Sequence, residues 1–367
     1  MAVATKVLTR RELNRATLHR QLLLRRHQLP VPAAIDQLMG LQAQETNPPY
    51  IGLWSRLADF QRDTLTRLMT DRLVVRGWTM RYTLHLLTAP DFVWVRQLLQ
   101  PVLDRAQRSF CGSGTAGMDL GELAAVGREL LEEAPRTTLE LRGLLARRYP
   151  GRDPASLAYS VQYLLPVVHV PPGGTWGRGR AVPSAVAEQW LGEPLTVEPT
   201  PDRLVMRYLA AFGPASVMDI QAWCGLTRLR ASVERLRPHL RVFRDETGRE
   251  LFDLPDAPRP DPDTPAPPRL LPDFDNLMVA FADRTRVLDE GHRKLISVGA
   301  GAIRASVLVD GFVRGAWGIR RARGTATLRV EPFAPISGPD RAALEEEALR
   351  LLAFAAADAD AHVVTFD

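Results

Sequence analysis

The strongest constraint on the fold of this 367-residue chain is an order of elements that occurs twice. In the first copy, apolar residues at helical spacing predict helices over 121–134, from Thr138 onward and over 154–165. Two short strands, 167–170 and 180–182, follow around a glycine-rich turn. Three helices followed by a hairpin are typical of a winged helix-turn-helix unit.

The same order returns further along the chain. Helices are predicted over 202–212, 217–223 and 227–237, and a hairpin over 240–254 closes the second copy. A third, more divergent copy is predicted at the N-terminus. There Thr9 caps a long helix predicted over 10–27, and further helices are expected over 32–41 and 63–74, followed by the extended stretch 75–87.

The C-terminal third differs in character. A proline- and aspartate-rich linker precedes strands predicted over 277–282, 302–309, 312–319 and 325–330. A helix over 339–356 and a last strand over 362–366 complete it. The predicted domains are an N-terminal winged unit over 1–117, a second over 118–198, a third over 199–256, a linker over 257–268 and a β-rich domain over 269–367.

Composition excludes several classes of protein. No apolar run approaches the roughly 20 residues of a membrane span, and the N-terminus lacks the apolar core of a secretory signal. Cys111 and Cys224 are too few for a disulfide framework or a zinc site, so we expect a cytoplasmic protein. The chain has no P-loop, no dinucleotide fingerprint and no zinc-protease motif, and we expect neither metal nor cofactor. A net charge of +5 does not by itself indicate nucleic-acid binding.

Two glutamines stand out where the second N-terminal helix ends. Gln42 and Gln44 are separated by one residue, and side chains at such positions face the same way only on extended backbone. Pro48 and Pro49 disfavour a continuing helix nearby. The alternative is that these are two ordinary polar residues at a helix end.

A second stretch, 80–87, alternates polar and apolar side chains. As a strand it would place Arg81, Thr83 and His85 on one face, where their donors suit phosphate oxygens. The alternative is an ordinary half-exposed strand.

These stretches resemble the AlkZ/YcaQ-like family of winged-helix DNA glycosylases, and the resemblance extends over essentially the whole chain. The segments that carry it are Gly40–Gln44, Asn47–Tyr50, Gly52–Leu57, Met80–His85, Leu271–Asp275, Asp283–Arg284 and Val309–Gly311. The resemblance implies an α+β fold in which three tandem winged helix-turn-helix units are arranged around a C-terminal β-barrel-like domain. It also implies a concave basic face that binds duplex DNA.

The family's catalytic Gln-x-Gln motif falls on Gln42 and Gln44, which matches the AlkZ-like branch. The implied activity is that of a monofunctional DNA glycosylase, which hydrolyses the N-glycosidic bond of N7-alkylated guanine. Bulky or crosslinking natural-product adducts are the expected substrates, with self-resistance and DNA repair as the result. The expected partner is double-stranded DNA carrying alkylated purines, bound by a monomer. The alternative is a winged-helix transcriptional regulator or a non-catalytic DNA-binding protein.

Residues expected to bind DNA come from the N-terminal unit and from the C-terminal hairpin. They are Asn47, Arg81, Thr83, His85, Arg314, Arg320, Arg321 and Arg323.

Amides suit this chemistry because the substrate needs no strong base. A glutamine has no usable pKa near neutrality, but alkylation at N7 makes guanine cationic and therefore a good leaving group. The transition state then carries positive charge on the sugar. We expect the carbonyl oxygens of Gln42 and Gln44 to orient a water molecule and face that charge.

Overall fold

A computed structural model describes residues 6–196, 198–299 and 301–367. The helices of these ranges are α1 (Arg10–Arg20), α2 (Val31–Gln37), α3 (Pro48–Arg56), α4 (Arg62–Thr70), α5 (Ala89–Leu98), α6 (Gln100–Cys111), α7 (Leu120–Glu133), α8 (Thr138–Arg148), α9 (Pro154–Leu164), α10 (Ala187–Leu191), α11 (Pro201–Phe212), α12 (Val217–Cys224), α13 (Arg230–Leu236), α14 (Asn276–Val279), α15 (Arg293–Ile296) and α16 (Gly338–Ala355).

The strands of the same ranges are β1 (Val7–Leu8), β2 (Leu41–Gln42), β3 (Val74–Trp78), β4 (Leu84–Thr88), β5 (Val167–His169), β6 (Ser184–Val186), β7 (Arg241–Asp245), β8 (Glu250–Asp253), β9 (Arg269–Leu271), β10 (Ser297–Val298), β11 (Ala302–Ile303), β12 (Ser306–Val309), β13 (Phe312–Ala322), β14 (Thr325–Pro332) and β15 (Ala361–Phe366). Neighbouring strands pair antiparallel except β1–β7 and β14–β15, as expected for an α+β protein.

Capping side chains decide where several helices begin. Thr9, Thr137 and Ser216 each accept a hydrogen bond from the backbone N–H three residues on, and the acidic residue there reaches back to the cap. The expected start of α1 is therefore correct, but its predicted extension to position 27 is wrong. The helix ends at Arg20, and Leu22 adopts a left-handed φ of 58° that no helix continues through.

Both repeated segments have the expected order of elements. Helices α7, α8 and α9 precede the antiparallel pair β5–β6, and α11, α12 and α13 precede β7–β8. The return strand of the first segment lies at Ser184–Val186 rather than at 180–182, because the connection after β5 is longer than the glycine-rich stretch alone.

The sheets join segments that are distant in the sequence. One five-stranded sheet has the order β2-β4-β3-β5-β6, so strands from both sides of position 117 share it. Strand β1 pairs in parallel with β7 and so attaches the N-terminus to the third segment. Strand β2, which carries Gln42, lies at the edge of the five-stranded sheet, against β4.

The C-terminal domain differs from the predicted barrel. Its sheet has the order β15-β14-β13-β12-β9, and within the described residues its two edge strands do not pair with each other to close a barrel. Helix α16 contacts both edges, and α3 contacts β9. Apolar side chains of α3, β14 and α16 form one core cluster. One face of the C-terminal sheet is therefore buried by helices and not by closure of the sheet into a barrel.

The strand predicted over 277–282 is also wrong. Residues Asn276–Val279 form a short helix, α14, capped by Asp275. Leu277 and Met278 are buried, and a short run of apolar residues does not distinguish a buried strand from a buried helical turn. In the described part of the chain, no helix is both long and apolar enough to cross a membrane.

Candidate active site

Both glutamines line one open cleft of about 720 Å³, which we call the central cleft. Its wall combines aromatic and cationic side chains from four parts of the chain. The aromatic residues are Trp78, Tyr82, Phe110, Tyr163, Phe274 and Phe281, and the cationic residues are Arg81, Arg284 and Arg293. Among its lining residues in the described ranges there is no aspartate or glutamate. The cleft is therefore basic and suited to an anionic ligand.

Gly40 and the pairing of β2 direct the two glutamines into the cleft. Gly40 has a φ of 84°, and a Cβ there would lie 2.5 Å from Leu87 Cδ2, so only glycine fits. Gln42 pairs with His85 across the strands, and the Ala43 N–H donates to the Leu84 carbonyl over 2.7 Å. This backbone is extended, and the expectation that residues 42 and 44 face the same way is confirmed.

A buried arginine donates hydrogen bonds to the backbone of residues 42–44, which we call the glutamine segment. Arg76, 4% exposed, donates from Nε to the Ala43 carbonyl over 2.8 Å and from Nη2 to the Gln44 carbonyl over 3.0 Å. Burial lowers the pKa of Arg76 to about 10, so it stays cationic at neutral pH. Sequence reasoning missed this residue, although an arginine within the apolar strand 74–78 is an unusual signal.

The two amides differ in their surroundings. Gln42 is 7% exposed, and its Oε1 accepts a hydrogen bond of 2.6 Å from Arg81 Nη2. A guanidinium has only donors, so the amide oxygen faces Arg81 and the NH₂ group points away from it. Gln44 is exposed, and its Oε1 accepts only a long bond of 3.3 Å from the Leu84 N–H.

The predicted row of Arg81, Thr83 and His85 on one strand face is wrong. Met80–Tyr82 form a 3₁₀ turn, in which Arg81 and Tyr82 have φ values of 51° and 53°. Arg81 turns inward and donates to the Trp223 carbonyl over 2.6 Å as well as to Gln42. Burial lowers the pKa of Arg81 to about 10, and the group remains charged. Two of its N–H groups donate within the protein, and the expected phosphate contact of Arg81 stays a prediction.

Thr83 and His85 are also engaged internally. Thr83 lines the cleft, but its hydroxyl donates to the Met80 carbonyl over 3.0 Å. His85 is 1% exposed, with Nδ1 3.1 Å from the Thr83 carbonyl. Burial lowers the pKa of His85 to about 3, so the ring is neutral and keeps one N–H donor; its contact with a phosphate stays a prediction.

The other predicted DNA contacts do not line the central cleft. Asn47 Oδ1 accepts from the Gly177 N–H over 2.8 Å, which ties the glycine-rich loop to the glutamine segment. Arg314 is paired with Asp289 over 2.7 Å. The remaining three, Arg320, Arg321 and Arg323, are exposed around the β13–β14 turn and do not line the central cleft.

Two arginines that sequence reasoning did not select line the cleft instead. Arg284 is half-buried and Arg293 is exposed, and in the described part of the chain neither forms a salt bridge with a carboxylate. Burial and the neighbouring Arg293 lower the pKa of Arg284. The sequence signal for Arg284 is the segment Asp283–Arg284, which is one of the segments that resemble the family.

Comparison with known proteins gives one consistent family. A family model described as DNA glycosylase AlkZ-like matches residues 35–354. An interstrand DNA cross-link repair glycosylase of Streptomyces sahachiroi is 26% identical over 354 residues, which cover 90% of this chain and 92% of the relative. The solved structure of Streptomyces sahachiroi DNA glycosylase AlkZ has the same fold, with a TM-score of 0.76 at 24% identity. It covers 98% of this chain and is itself covered completely. The chain therefore belongs to the AlkZ-like family of DNA glycosylases.

Proposed function

We propose that this enzyme hydrolyses the N-glycosidic bond of N7-alkylated guanine in duplex DNA, and that its substrates are bulky or crosslinking natural-product adducts. Repair of such adducts would give self-resistance. The observation that carries the proposal is the convergence of Gln42 and Gln44 in a cleft whose charged lining, among the described residues, is arginine alone. The crosslink-repair activity in the name of the Streptomyces relative supports the choice of adduct.

DNA would bind across the helix–hairpin segments. We propose that the three segments act as winged units around the C-terminal sheet and form a concave basic face. Arg284 and Arg293 are the best candidates for phosphate contacts beside the reacting nucleotide, because they line the cleft and have no carboxylate partner among the described residues. Arg320, Arg321 and Arg323 would contact DNA further away, from the exposed β13–β14 turn.

The two glutamines would have different roles. Gln44 is exposed and its carbonyl holds only a long hydrogen bond, so it is free to accept from a water molecule and orient it. Gln42 has its carbonyl bound to Arg81, so its NH₂ group is the one available to donate to a sugar or phosphate oxygen. This replaces the expectation that both carbonyls act alike.

In the reaction, the C1′–N9 bond breaks and its electron pair neutralises the positive charge of the alkylated guanine. The oxygen of the oriented water then bonds to C1′, and the proton that it loses passes to solvent. Because the base departs as a neutral molecule, no carboxylate is needed to drive the step. An amide dipole stabilises the sugar cation without repelling the phosphates that the arginines attract.

The direct test is release of the adduct from an oligonucleotide duplex that carries one N7-alkylguanine. We expect wild-type enzyme to leave an abasic site, and Gln44→Ala to lower kcat by about 100-fold or more while DNA affinity is retained. Gln42→Ala should lose activity similarly. Gln97→Ala, at an exposed glutamine of α5, is the matched control and should keep full activity.

A panel of simple, bulky and crosslinked adducts would define the substrate. Tight DNA binding without release of any adduct would contradict the proposal and favour a non-catalytic or regulatory DNA-binding role.

A further inference from the structure

Two exposed aromatic side chains form a pair on the wall of the central cleft. Tyr82 is 43% exposed and Phe110 is 58% exposed, and their ring centroids lie 5.4 Å apart in an edge-to-face arrangement. In an edge-to-face pair, the ring that presents its edge keeps both of its faces free of its partner. The pair therefore offers an uncovered aromatic face next to Gln42 and Gln44.

The backbone under Tyr82 is strained in a way that positions this ring. A φ of 53° is unfavourable for a bulky residue, and it follows the φ of 51° at Arg81. Hydrogen bonds from the Tyr82 N–H to the Thr79 carbonyl, over 3.2 Å, and from the Thr83 N–H to the Met80 carbonyl, over 3.0 Å, hold the turn. Strained positions of this kind cluster at functional sites. Here the turn sends the Arg81 guanidinium to Gln42 and the Tyr82 ring to Phe110.

The surrounding charge indicates what the ring face would bind. Arg284 and Arg293 line the same cleft, and no carboxylate does so among the described residues. Aromatic faces combined with arginines are the usual means by which proteins hold unpaired nucleotides, since every base has a π-face and every nucleotide a phosphate.

We propose that Tyr82 and Phe110 form a stacking site for a nucleobase that has left the duplex stack beside the reacting nucleotide. Arg284 and Arg293 hold the phosphates that flank this base. The inference rests on the proposed function in one respect, that DNA enters the central cleft. Stacking would keep the duplex open at the lesion while water reaches the sugar.

Photocrosslinking tests the contact without any catalytic step. A duplex without alkylated guanine carries one 5-iodouracil opposite an abasic-site analogue, so that the base is free to leave the stack. Irradiation joins 5-iodouracil to an aromatic side chain stacked on it. Trypsin then gives peptides 82–96 and 109–128, and Phe110 is the only aromatic residue in the second. We expect the crosslink in one or both of these peptides, and crosslinks confined to other peptides would overturn the proposal.

Substitutions separate stacking from mere apolar contact. Tyr82→Leu and Phe110→Leu should each weaken binding of this duplex by roughly 5- to 100-fold, as expected when a base loses its aromatic partner. Tyr82→Phe should bind as wild type does. Leu349→Ala, at an equally exposed apolar residue of α16, is the control. The proposal would be overturned if the leucine variants bound this duplex as tightly as wild type does. It would also be overturned if Tyr82 and Phe110 bound a protein partner and not DNA.

The design distinguishes failure of the inference from failure of the proposed function. If wild-type enzyme releases no adduct yet crosslinks at peptides 82–96 or 109–128, the proposed function fails and the stacking site stands. If wild-type enzyme releases adducts but no crosslink forms at peptides 82–96 and 109–128, the stacking site is refuted and the glycosylase is not.

Discussion

The side chain of Arg81 has a different orientation in the structure from the one that its sequence pattern predicts. Its charge and alternation pattern suggested a phosphate contact, but the left-handed turn directs its guanidinium to the Gln42 carbonyl and the Trp223 carbonyl. The residue thereby orients the Gln42 amide, a property that depends on φ values which no side-chain pattern encodes.

Substitution of Arg81 should therefore affect the chemical step more than binding. We expect Arg81→Met to lower kcat by roughly 10- to 100-fold, the usual cost of losing a group that orients a functional residue, with little change in KM. Arg81→Lys should recover only part of the rate, because one ammonium does not reproduce the planar fork. Steady-state kinetics on an N7-alkylguanine duplex measures both. A rise in KM with unchanged kcat would restore Arg81 to the role of phosphate contact.

His85 should make stability depend on acidity. Burial lowers its pKa from 6.5 to about 3, so the folded state keeps the ring neutral while the unfolded state takes up a proton below pH 6.5. Its contribution is complete above pH 6.5 and is lost as the pH falls toward 3, by about 1.4 kcal/mol per pH unit.

Urea unfolding at pH 7 and pH 5 measures this linkage. Between those values, we expect His85→Leu to lose less stability than wild type, by about 2 kcal/mol. His239→Leu, at an exposed histidine, should show the wild-type dependence. An unchanged pH dependence in His85→Leu would mean that the ring is protonated in the folded protein.

At the scale of elements, a buried ion pair attaches α3 to the wall of the cleft. Arg56 and Asp275 are both 0% exposed and form two hydrogen bonds of 2.8 Å. Asp275 also caps α14, whose residue Val279 lines the cleft. Helix α3 begins at Pro48, shortly after Gln44, so this pair connects the segment of the two glutamines to the C-terminal part of the chain.

Breaking the pair from one side should be costly. We expect Arg56→Met to lower the free energy of unfolding by about 3–5 kcal/mol, because it leaves a buried carboxylate without its partner. Asp275→Asn retains the capping oxygen but removes the charge, so the double variant should recover much of the loss. Denaturant unfolding of the two single variants and the double variant gives the coupling energy. A cost below 1 kcal/mol for Arg56→Met would contradict this account.

At the scale of the whole molecule, the central cleft is assembled from distant segments. The glutamines and Arg81 come from the N-terminal part, Tyr163 from α9 and Ala222 from α12, whereas Arg284 and Arg293 come from the C-terminal part. Sheets that cross the predicted boundary at position 117 and the β1–β7 pairing hold these parts together. DNA affinity should accordingly depend on residues that no single segment contains.

The salt dependence of DNA binding tests the cleft arginines. Each phosphate contact contributes about 0.9 to the slope of log affinity against log salt. We expect Arg284→Met combined with Arg293→Met to reduce that slope by about 2. Arg350→Met, at an exposed arginine of α16, should leave it unchanged. An unaltered slope in the double variant would place the phosphates elsewhere.

Much of the architecture was predictable because its signals are local. The capping residues Thr9, Thr137 and Ser216, and the helical spacing of apolar residues in the repeats, act within a few positions of the elements they specify. Gln42 and Gln44 were likewise identified from adjacent positions and resemblance, and Gly40 needs only its own φ to start the extended segment.

Contacts between distant segments were not predictable in this way. The open C-terminal sheet, the inward turn of Arg81, the neutral His85 and the arrival of Arg284 and Arg293 beside the glutamines all depend on which surfaces meet in the folded chain. Local propensity and periodicity indicate which face of a segment is buried, but they do not indicate which other segment packs against that face. The order of elements therefore came from the chain's own pattern, and the composition of the cleft from tertiary packing.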